Sequence, residues 1–446
     1  MGMDGGLLSP VTVGHDELVS DAAVLDALVT AEVALVRAYA VVGLAEASDA
    51  GDVSRALGWV DSRSGCRGHG LDARQLAEAA VSGGNPVIPL VGLLRDRVPE
   101  SAKRWIHRGA TSQDILDSAL MLVARAAAAD LSALLANLEA DLAEFAGGHR
   151  NQVAAARTLT QHAVPTTVGL RAANWLRGVR RASDRLHAAV TALPAQLGGA
   201  GGTLASFVEI ASSEGDAAAA SALPAAFAAE LGLATPDAPW HTGRWPVTEL
   251  GDALVQVLDA LGVFAADVAT LSRTEIGELA EGSGGGSSAM PQKQNPVAAV
   301  LIRSAALRAP NLGATLHLAA ALAVDERPDG AWHAEWPTLR ELLRLALGAA
   351  AHAGSLIEGL TVDSVAVERN LALTKGLIVS ERLSIVLGPV LGKEAVSALV
   401  AGNQNLADAL RAMPELEGVD IDALLDPANY TGLAGSLVDE ATGHDG

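Results

Sequence analysis

Four polar stretches interrupt a chain otherwise dominated by alanine, leucine and valine, and they hold the residue types able to do chemistry. "HRGATSQD" supplies His107, Arg108, Thr111 and Ser112. "ARTLTQHAVPTT" supplies Arg157, Thr158, Gln161 and His162. "PWHTGRWP" sets His241, Thr242 and Arg244 between two tryptophans. "GGGSSAMPQKQNP" runs three glycines into Ser287, Ser288, Met290, Lys293 and Asn295, and ends at Pro296. Hydroxyls, imidazoles, guanidinium groups and a lysine form a donor set suited to an anionic substrate.

Each stretch also has a plain structural reading. Thr111 and Ser112 sit where helix N-caps belong, and the same helix start offers free N–H groups to an anion. The second stretch reads as a loop before a helix. The third reads as a packed loop with Trp240 and Trp245 as anchors. The fourth is discounted as a flexible linker, because it continues into Met-Pro-Gln-Lys-Gln-Asn-Pro and then directly into a helix. Glycines beside reactive groups suit a loop that closes over substrate and whose N–H groups cradle negative charge. No GxxxxGK[ST] phosphate loop and no HExxH spacing is present. His333 and Glu335 in "WHAEW" are too close in sequence to share a helix face, so they are not expected to be metal ligands.

These stretches must be held by helices. Apolar residues recur at helical spacing at Leu18, Ala22, Leu25, Leu28 and Val29. They recur again at Ile115, Ala119, Leu122 and Ala126 and on to Leu138, Leu142 and Phe145, between Pro99 and Pro165, which predicts one helix of about 35 residues. Further helices are expected after Pro165, over Leu250–Leu271 and after Pro296. No strand pattern is convincing. The expected fold is all-α, with a central bundle of long helices. A small N-terminal helical domain covers residues 1–106 and the bundle residues 107–355, with a catalytic loop at 282–296. A C-terminal helical domain covers residues 356–446.

Aromatic residues make up only 3% of the chain, so the core must be built from small aliphatic side chains that let helices approach closely. The net charge of -21 argues against nucleic acid or an anionic membrane as partner. Cys66 is the only cysteine, which rules out a disulfide framework. The N-terminus lacks a basic, then apolar, leader, and no apolar run of membrane-spanning length is uninterrupted. A soluble, cytoplasmic protein is expected.

"GSSAMPQKQNP" resembles the fumarase/aspartase superfamily signature GSSxMPxKxNP, with Gly286, Ser287, Ser288, Met290, Pro291, Lys293, Asn295 and Pro296 in register. "GATSQD" resembles that superfamily's first motif, and "RTLTQHAVP" stands where its second belongs. Within it, "GGNPVIPLV", "LGGAGGTLA", "PWHTGRWP" and "GAWHAEWPTLRELL" are similar to the 3-carboxy-cis,cis-muconate cycloisomerase family. Leu159 stands where the lyases usually carry His, which favours that family over a fumarase or adenylosuccinate lyase. Gln292 and Gln294 replace the His and Arg common in "MPHKRNP", and Arg108 stands where cycloisomerases often have Trp.

The resemblance implies a homotetramer whose active sites draw on three subunits, working without metal or organic cofactor. It implies lactonisation of a small tricarboxylate in aromatic degradation, with no nucleic-acid or membrane partner. Ser287, His162 and Lys293 are the implied catalytic residues. His107, Arg108, Thr111, Ser112, Arg157, Gln161, His241, Arg244, Ser288, Met290 and Asn295 are implied to bind substrate, along with the helix start after Pro296. A serine hydroxyl becomes a usable base once N–H groups and Lys293 stabilise its alkoxide in a dry loop. The alternatives are another lyase of the superfamily, such as adenylosuccinate lyase, and an inactive structural homologue.

Overall fold

A computed structural model of the chain describes residues 5–282, 285–286, 290, 293–402 and 405–443. The fold is all-α. In chain order it begins with α1 (Asp21–Val41), α2 (Ala47–Ala56), β1 (Trp59–Asp61), β2 (Gly65–Cys66), α3 (Ala73–Ala80) and α4 (Val87–Arg95). The long α5 (Ser112–Gly148), β3 (Val153–Thr158), β4 (Gln161–Thr167) and α6 (Val168–Thr191) follow. Then come α7 (Ala205–Ser213), α8 (Ala219–Leu231), α9 (Trp245–Leu271), β5 (Leu279–Ala280) and α10 (Val297–Ala321). After α11 (Gly330–Glu358), β6 (Thr361–Val362) and α12 (Ser364–Leu371), short helices complete the chain.

The helix starts follow the capping residues. Ser20 accepts from Ala23 N–H at the head of α1, and Thr111 N–H donates back to Asp114 at the head of α5. Helix α5 runs 37 residues, close to its expected length, with Ile115, Ala119, Leu122, Leu138 and Leu142 buried. Both α5 and α9 are long and apolar enough, by length and composition, to cross a membrane. In this structure 56% of the apolar window of α5 and 44% of that of α9 is buried. Asp114, Asp117 and Gln113 on α5 are buried and hydrogen-bonded to protein, which fits a protein interior rather than lipid.

One stretch expected as a loop is instead an antiparallel hairpin. β3 pairs β4 from Val153↔Thr167 to Thr158↔Gln161, with an irregularity between Ala155 and Arg157. Its two-residue turn, Leu159–Thr160, has φ of 47° and 73°. Paired positive φ matches the twist of a hairpin, but glycine and asparagine normally supply it. Leucine and a β-branched threonine there are strained, and they hide the turn from sequence inspection. β1–β2 and β5–β6 are the other strand pairs among the described residues.

By contacts the chain divides into two compact units. Unit 1 comprises Met1–Leu134, Ala182–Asp259 and Ser304–Ala351. Unit 2 comprises Leu135–Arg181, Ala260–Arg303 and His352–Gly446. In unit 1, Tyr39 packs 5.1 Å from Trp105, centroid to centroid, beside Phe207. In unit 2, Ala154, Val168 and Val367 join the hairpin to α6 and α12, and Leu383, Leu387 and Leu410 centre the C-terminal helices.

Candidate active site

Asp114, in the first turn of α5, organises unit 1. Its carboxylate accepts from the N–H groups of Gly198 (2.8 Å), Gly199 (2.9 Å) and Thr111 (2.9 Å), and from His241 Nε2 (2.8 Å). The close approach requires glycine. A Cβ on Gly198 would lie 2.8 Å from both His241 Cε1 and Pro239 Cβ, and Gly199 has φ +72°. Because a carboxylate only accepts, Nε2 of His241 carries the proton, and the buried Nδ1 has no protein partner among the described residues. The contact with Asp114 fixes the orientation of the ring and leaves Nδ1 buried on its other side.

One helical turn on, Asp117 anchors a second buried network. Arg244 donates Nη1 and Nη2 to Asp117 (2.7 and 3.1 Å), Nη2 and Nε to Glu335 (2.6 and 3.1 Å), and Nη1 to the Trp240 carbonyl. Trp332 Nε1 and Gln113 Nε2 also reach Asp117. Burial alone would discharge Arg244, but the two carboxylates outweigh it and raise its pKa further. Burial raises the Glu335 pKa, against the pull of Arg244. Every N–H of Arg244 is engaged and the residue is 3% exposed, so the geometry gives it a structural role and leaves no donor for substrate. His333 is bonded to the Gly84 carbonyl and packs its ring on Trp332, while Glu335 is buried.

The turn that precedes α5 carries the remaining residues of the first motif. His107 has φ +58°, and its Nδ1 bonds Glu32, which is wholly buried, at 2.7 Å. Burial would lower the His107 pKa, but the hydrogen bond to Glu32 and its charge overcome this and raise it. Arg108 pairs with Glu214 at 2.8 Å and lies over the Trp105 ring, so its charge is already met. Ser112 opens α5.

Thr111 has a partner that sequence inspection passed over. Arg327 Nη2 donates to Thr111 Oγ1 and to the Ala200 carbonyl (3.3 Å). Its Nε is buried without a partner, and no carboxylate pairs with it among the described residues. "DERPDG" looks like a solvated acidic turn, which is why this arginine was missed. Only the spatial neighbourhood of Thr111 singles it out.

Unit 2 carries the other two stretches. Arg157 bonds Glu278 through Nη1 (3.2 Å) and Nη2 (2.5 Å), and Asn370 Nδ2 adds a third donor (2.9 Å). Burial would raise the Glu278 pKa, but the bonds from Arg157 and Asn370, with the charges of Arg157 and Arg171, lower it. Like Arg244, Arg157 has its charge met inside the protein. His162 sits opposite Arg157 in the hairpin register. Burial, with the Arg157 charge, lowers its pKa, so its imidazole is neutral at pH 7. Gln161 is exposed at the hairpin end.

The signature loop is pinched at its base. Gly285 and Asn295 exchange two backbone hydrogen bonds of 3.0 Å, and a Cβ on Gly285 would lie 2.3 Å from Val297 Cγ2. Within the loop, Lys293 N–H reaches the Met290 carbonyl at 3.0 Å, and both Lys293 and Met290 are exposed. Ser287 and Ser288 lie outside the described residues. The helix start after Pro296, expected to receive substrate, already holds an anion. Glu281 accepts from Ala298 N–H (3.1 Å) and Ala299 N–H (2.9 Å). Among the described residues no group of three or more His, Cys, Asp or Glu converges as a metal site requires.

The chain is similar to known proteins along nearly its full length. It is 47% identical to nitrosuccinate lyase of Streptomyces davaonensis, over 99% of this chain and 95% of that one. It is 41% identical to 3-carboxy-cis,cis-muconate cycloisomerase of Pseudomonas aeruginosa, over 95% of this chain and 92% of the relative. The crystal structure of 3-carboxy-cis,cis-muconate lactonizing enzyme from Pseudomonas putida superposes with a TM-score of 0.87 at 35% identity, covering 98% of both chains. A family model described as lyase matches residues 17–310. The chain belongs to this lyase family, within the fumarase/aspartase superfamily.

Proposed function

We propose that the protein is a lyase that eliminates nitrite from nitrosuccinate and leaves fumarate. The observation that carries this reading is the 47% identity to nitrosuccinate lyase across 99% of the chain. The proton leaves the carbon next to the nitro-bearing carbon. Its C–H electron pair becomes the new C=C bond, and the C–N bond breaks with its pair going to nitrite. Ser287, at the position of the superfamily's catalytic serine, is the proposed base. Lys293 stabilises its alkoxide and the charge that builds on the carboxylate beside the departing proton.

Charge counting supports a dicarboxylate. Arg108, Arg157 and Arg244 are each tied to an acid, whereas Arg327 and Lys293 have no carboxylate partner among the described residues. In the shared-site assembly that the resemblance implies, two unpaired cations match two carboxylates. Gln294 stands exposed where a third cation is common.

Lactonisation of 3-carboxy-cis,cis-muconate is the second reading, favoured by the 0.87 TM-score to the lactonizing enzyme. There a substrate carboxylate adds across an activated C=C, and the neighbouring carbanion takes up a proton. Leu159 fits this reaction, since a nucleophile that is already a carboxylate needs no partner histidine. Parallel assays decide between them. Nitrosuccinate should yield nitrite and fumarate in equal amounts, while the diene absorbance of carboxymuconate persists. The reverse outcome makes the protein a cycloisomerase, and inertness toward both overturns both readings.

A further inference from the structure

Unit 1 also contains a cavity of about 530 Å³ that shares no residue with the networks around Asp114 and Asp117. Three arginines line it, Arg63, Arg67 and Arg125, and no acid does. In a chain of net charge -21, a recess whose charged lining is wholly cationic runs against the character of the molecule. The three arginines are not equivalent. Arg67 is answered by Asp26 at 3.1 Å. Arg125, on α5, is held without being neutralised. Its Nη1 donates to the Leu231 and Gly232 carbonyls at the end of α8 (2.6 and 2.7 Å), and its Nη2 to the Ser62 carbonyl (3.2 Å). Its Nε has no acceptor among the described residues and is not sealed from solvent. Arg63 is exposed, and its side chain makes no ion pair or hydrogen bond among the described residues. Burial lowers the Arg125 pKa, and the charge of Arg63 lowers it further, so these two guanidinium groups lie close enough to repel.

Two acids outside the lining set the charge balance. Asp26 is set against Arg67. Asp61 lies beside Arg63: bonds from Ser64 lower its pKa most, and the charge of Arg63 adds to this. One positive charge remains, at Arg125. The rest of the wall is apolar, with Ala27 from α1 and Leu122, Val123 and Ala126 from α5. We propose that this cavity binds a small organic monocarboxylate with an apolar body. The carboxylate accepts from Arg125 and Arg63, and the body lies against Leu122 and Val123. A neutral molecule would leave the Arg125 charge unanswered, and a bare inorganic anion would leave the apolar wall in water. A dianion would exceed the single charge left over. The volume lies within the range of small-molecule sites, roughly 300 to 1,000 Å³.

The test titrates the full-length protein with 4-phenylbutyrate, and with two analogues that each lack one half of it. 4-Phenyl-1-butanol has no charge, and acetate has no apolar body. Calorimetry should show saturable binding of 4-phenylbutyrate, with both analogues at least tenfold weaker. Arg125 also holds α8 and the Ser62 carbonyl, so the variants are made elsewhere. Arg63→Gln should weaken binding roughly tenfold or more, as loss of a hydrogen bond to a charged group does, and Arg63→Lys should restore much of it. Ala126→Phe, at an exposed helical position, keeps every charge but fills the cavity, and should abolish binding while circular dichroism stays unchanged. A probe bound instead among the catalytic residues would be indifferent to both changes. No saturable binding, or binding undiminished in either Arg63→Gln or Ala126→Phe, overturns the site. 4-Phenyl-1-butanol binding as tightly as 4-phenylbutyrate overturns the assignment to an anion, and acetate doing so overturns the apolar body.

Discussion

Arg244 and Arg327 are the same residue type beside the same helix start, and their surroundings give them opposite roles. The first has two carboxylates, 91 and 127 residues away in sequence, to hold it. The second has a threonine hydroxyl, a carbonyl and an orphaned Nε. Arg327→Gln should therefore leave the fold intact, because no ion pair is lost. It should lower kcat/KM by roughly 10- to 100-fold, the range of a hydrogen bond to a charged group. An unchanged kcat/KM in a folded variant would remove Arg327 from the site. His107 gives a prediction in pH. Its pKa is raised in the folded state, so the pair with Glu32 contributes stability that is fully present below about pH 6.5, the unfolded value. That contribution is lost as pH rises through the higher folded value. His107→Gln should thus cost most stability in mild acid and progressively less toward alkaline pH, as read from urea unfolding at several pH values. A penalty that grows with pH would show that the pair is not what holds the imidazole. At this scale the sequence displayed residue types but not partners. Glycine, serine and lysine crowded into one loop stand out in an alanine-rich chain, whereas the acids that answer Arg157 and Arg244 lie on other elements and leave no mark near them.

Elements were legible where their period was long. Helices α1, α5, α9 and α10 carry apolar residues at helical spacing over several turns, and proline marks the approach to α10. The β3–β4 hairpin was not legible, because its turn is Leu159–Thr160 rather than Asn-Gly, and an alanine run in β3 and Pro165 in β4 mask the strand pattern. The start of α10 was legible as a helix start but not as an occupied one. Glu281 lies beyond the glycine run and reaches the N–H groups of Ala298 and Ala299 only because Gly285 and Asn295 pinch the loop between them. Glu281→Ala should cost about 1 kcal/mol of stability, as loss of a side-chain cap does. Glu281→Gln keeps one acceptor oxygen and should cost less. Guanidinium unfolding of the two variants measures the difference, and equal stability of wild type and Glu281→Ala would show that the carboxylate is not a cap in solution.

For the whole molecule we propose a homotetramer whose active sites draw their unit 1 and unit 2 residues from different chains. Helix α10 motivates this. Val300, Leu307 and Leu318 along it are 53%, 75% and 62% exposed, and Leu322 just beyond is 64% exposed, an apolar row far too long to leave facing water. The polar stretches are divided in the same sense. Thr111, His241 and Arg327 belong to unit 1, whereas Arg157, His162 and Lys293 belong to unit 2. Light scattering should report a tetramer, and Leu307→Glu should shift it to smaller species without loss of helical circular dichroism. Complementation is the sharper experiment. Arg327→Gln, lowered by roughly 10- to 100-fold, and Lys293→Met are each expected to be impaired as pure proteins, one damaged in unit 1 and the other in unit 2. Dissociated in mild denaturant, mixed and reassembled, the two should regain activity, because some sites then draw both segments from undamaged regions of different chains. Sites built from a single chain would regain none, since every chain in the mixture carries one lesion. Mixed tetramers that form, as shown by differential tagging, yet gain no activity would sink the shared-site proposal while leaving the tetramer itself standing.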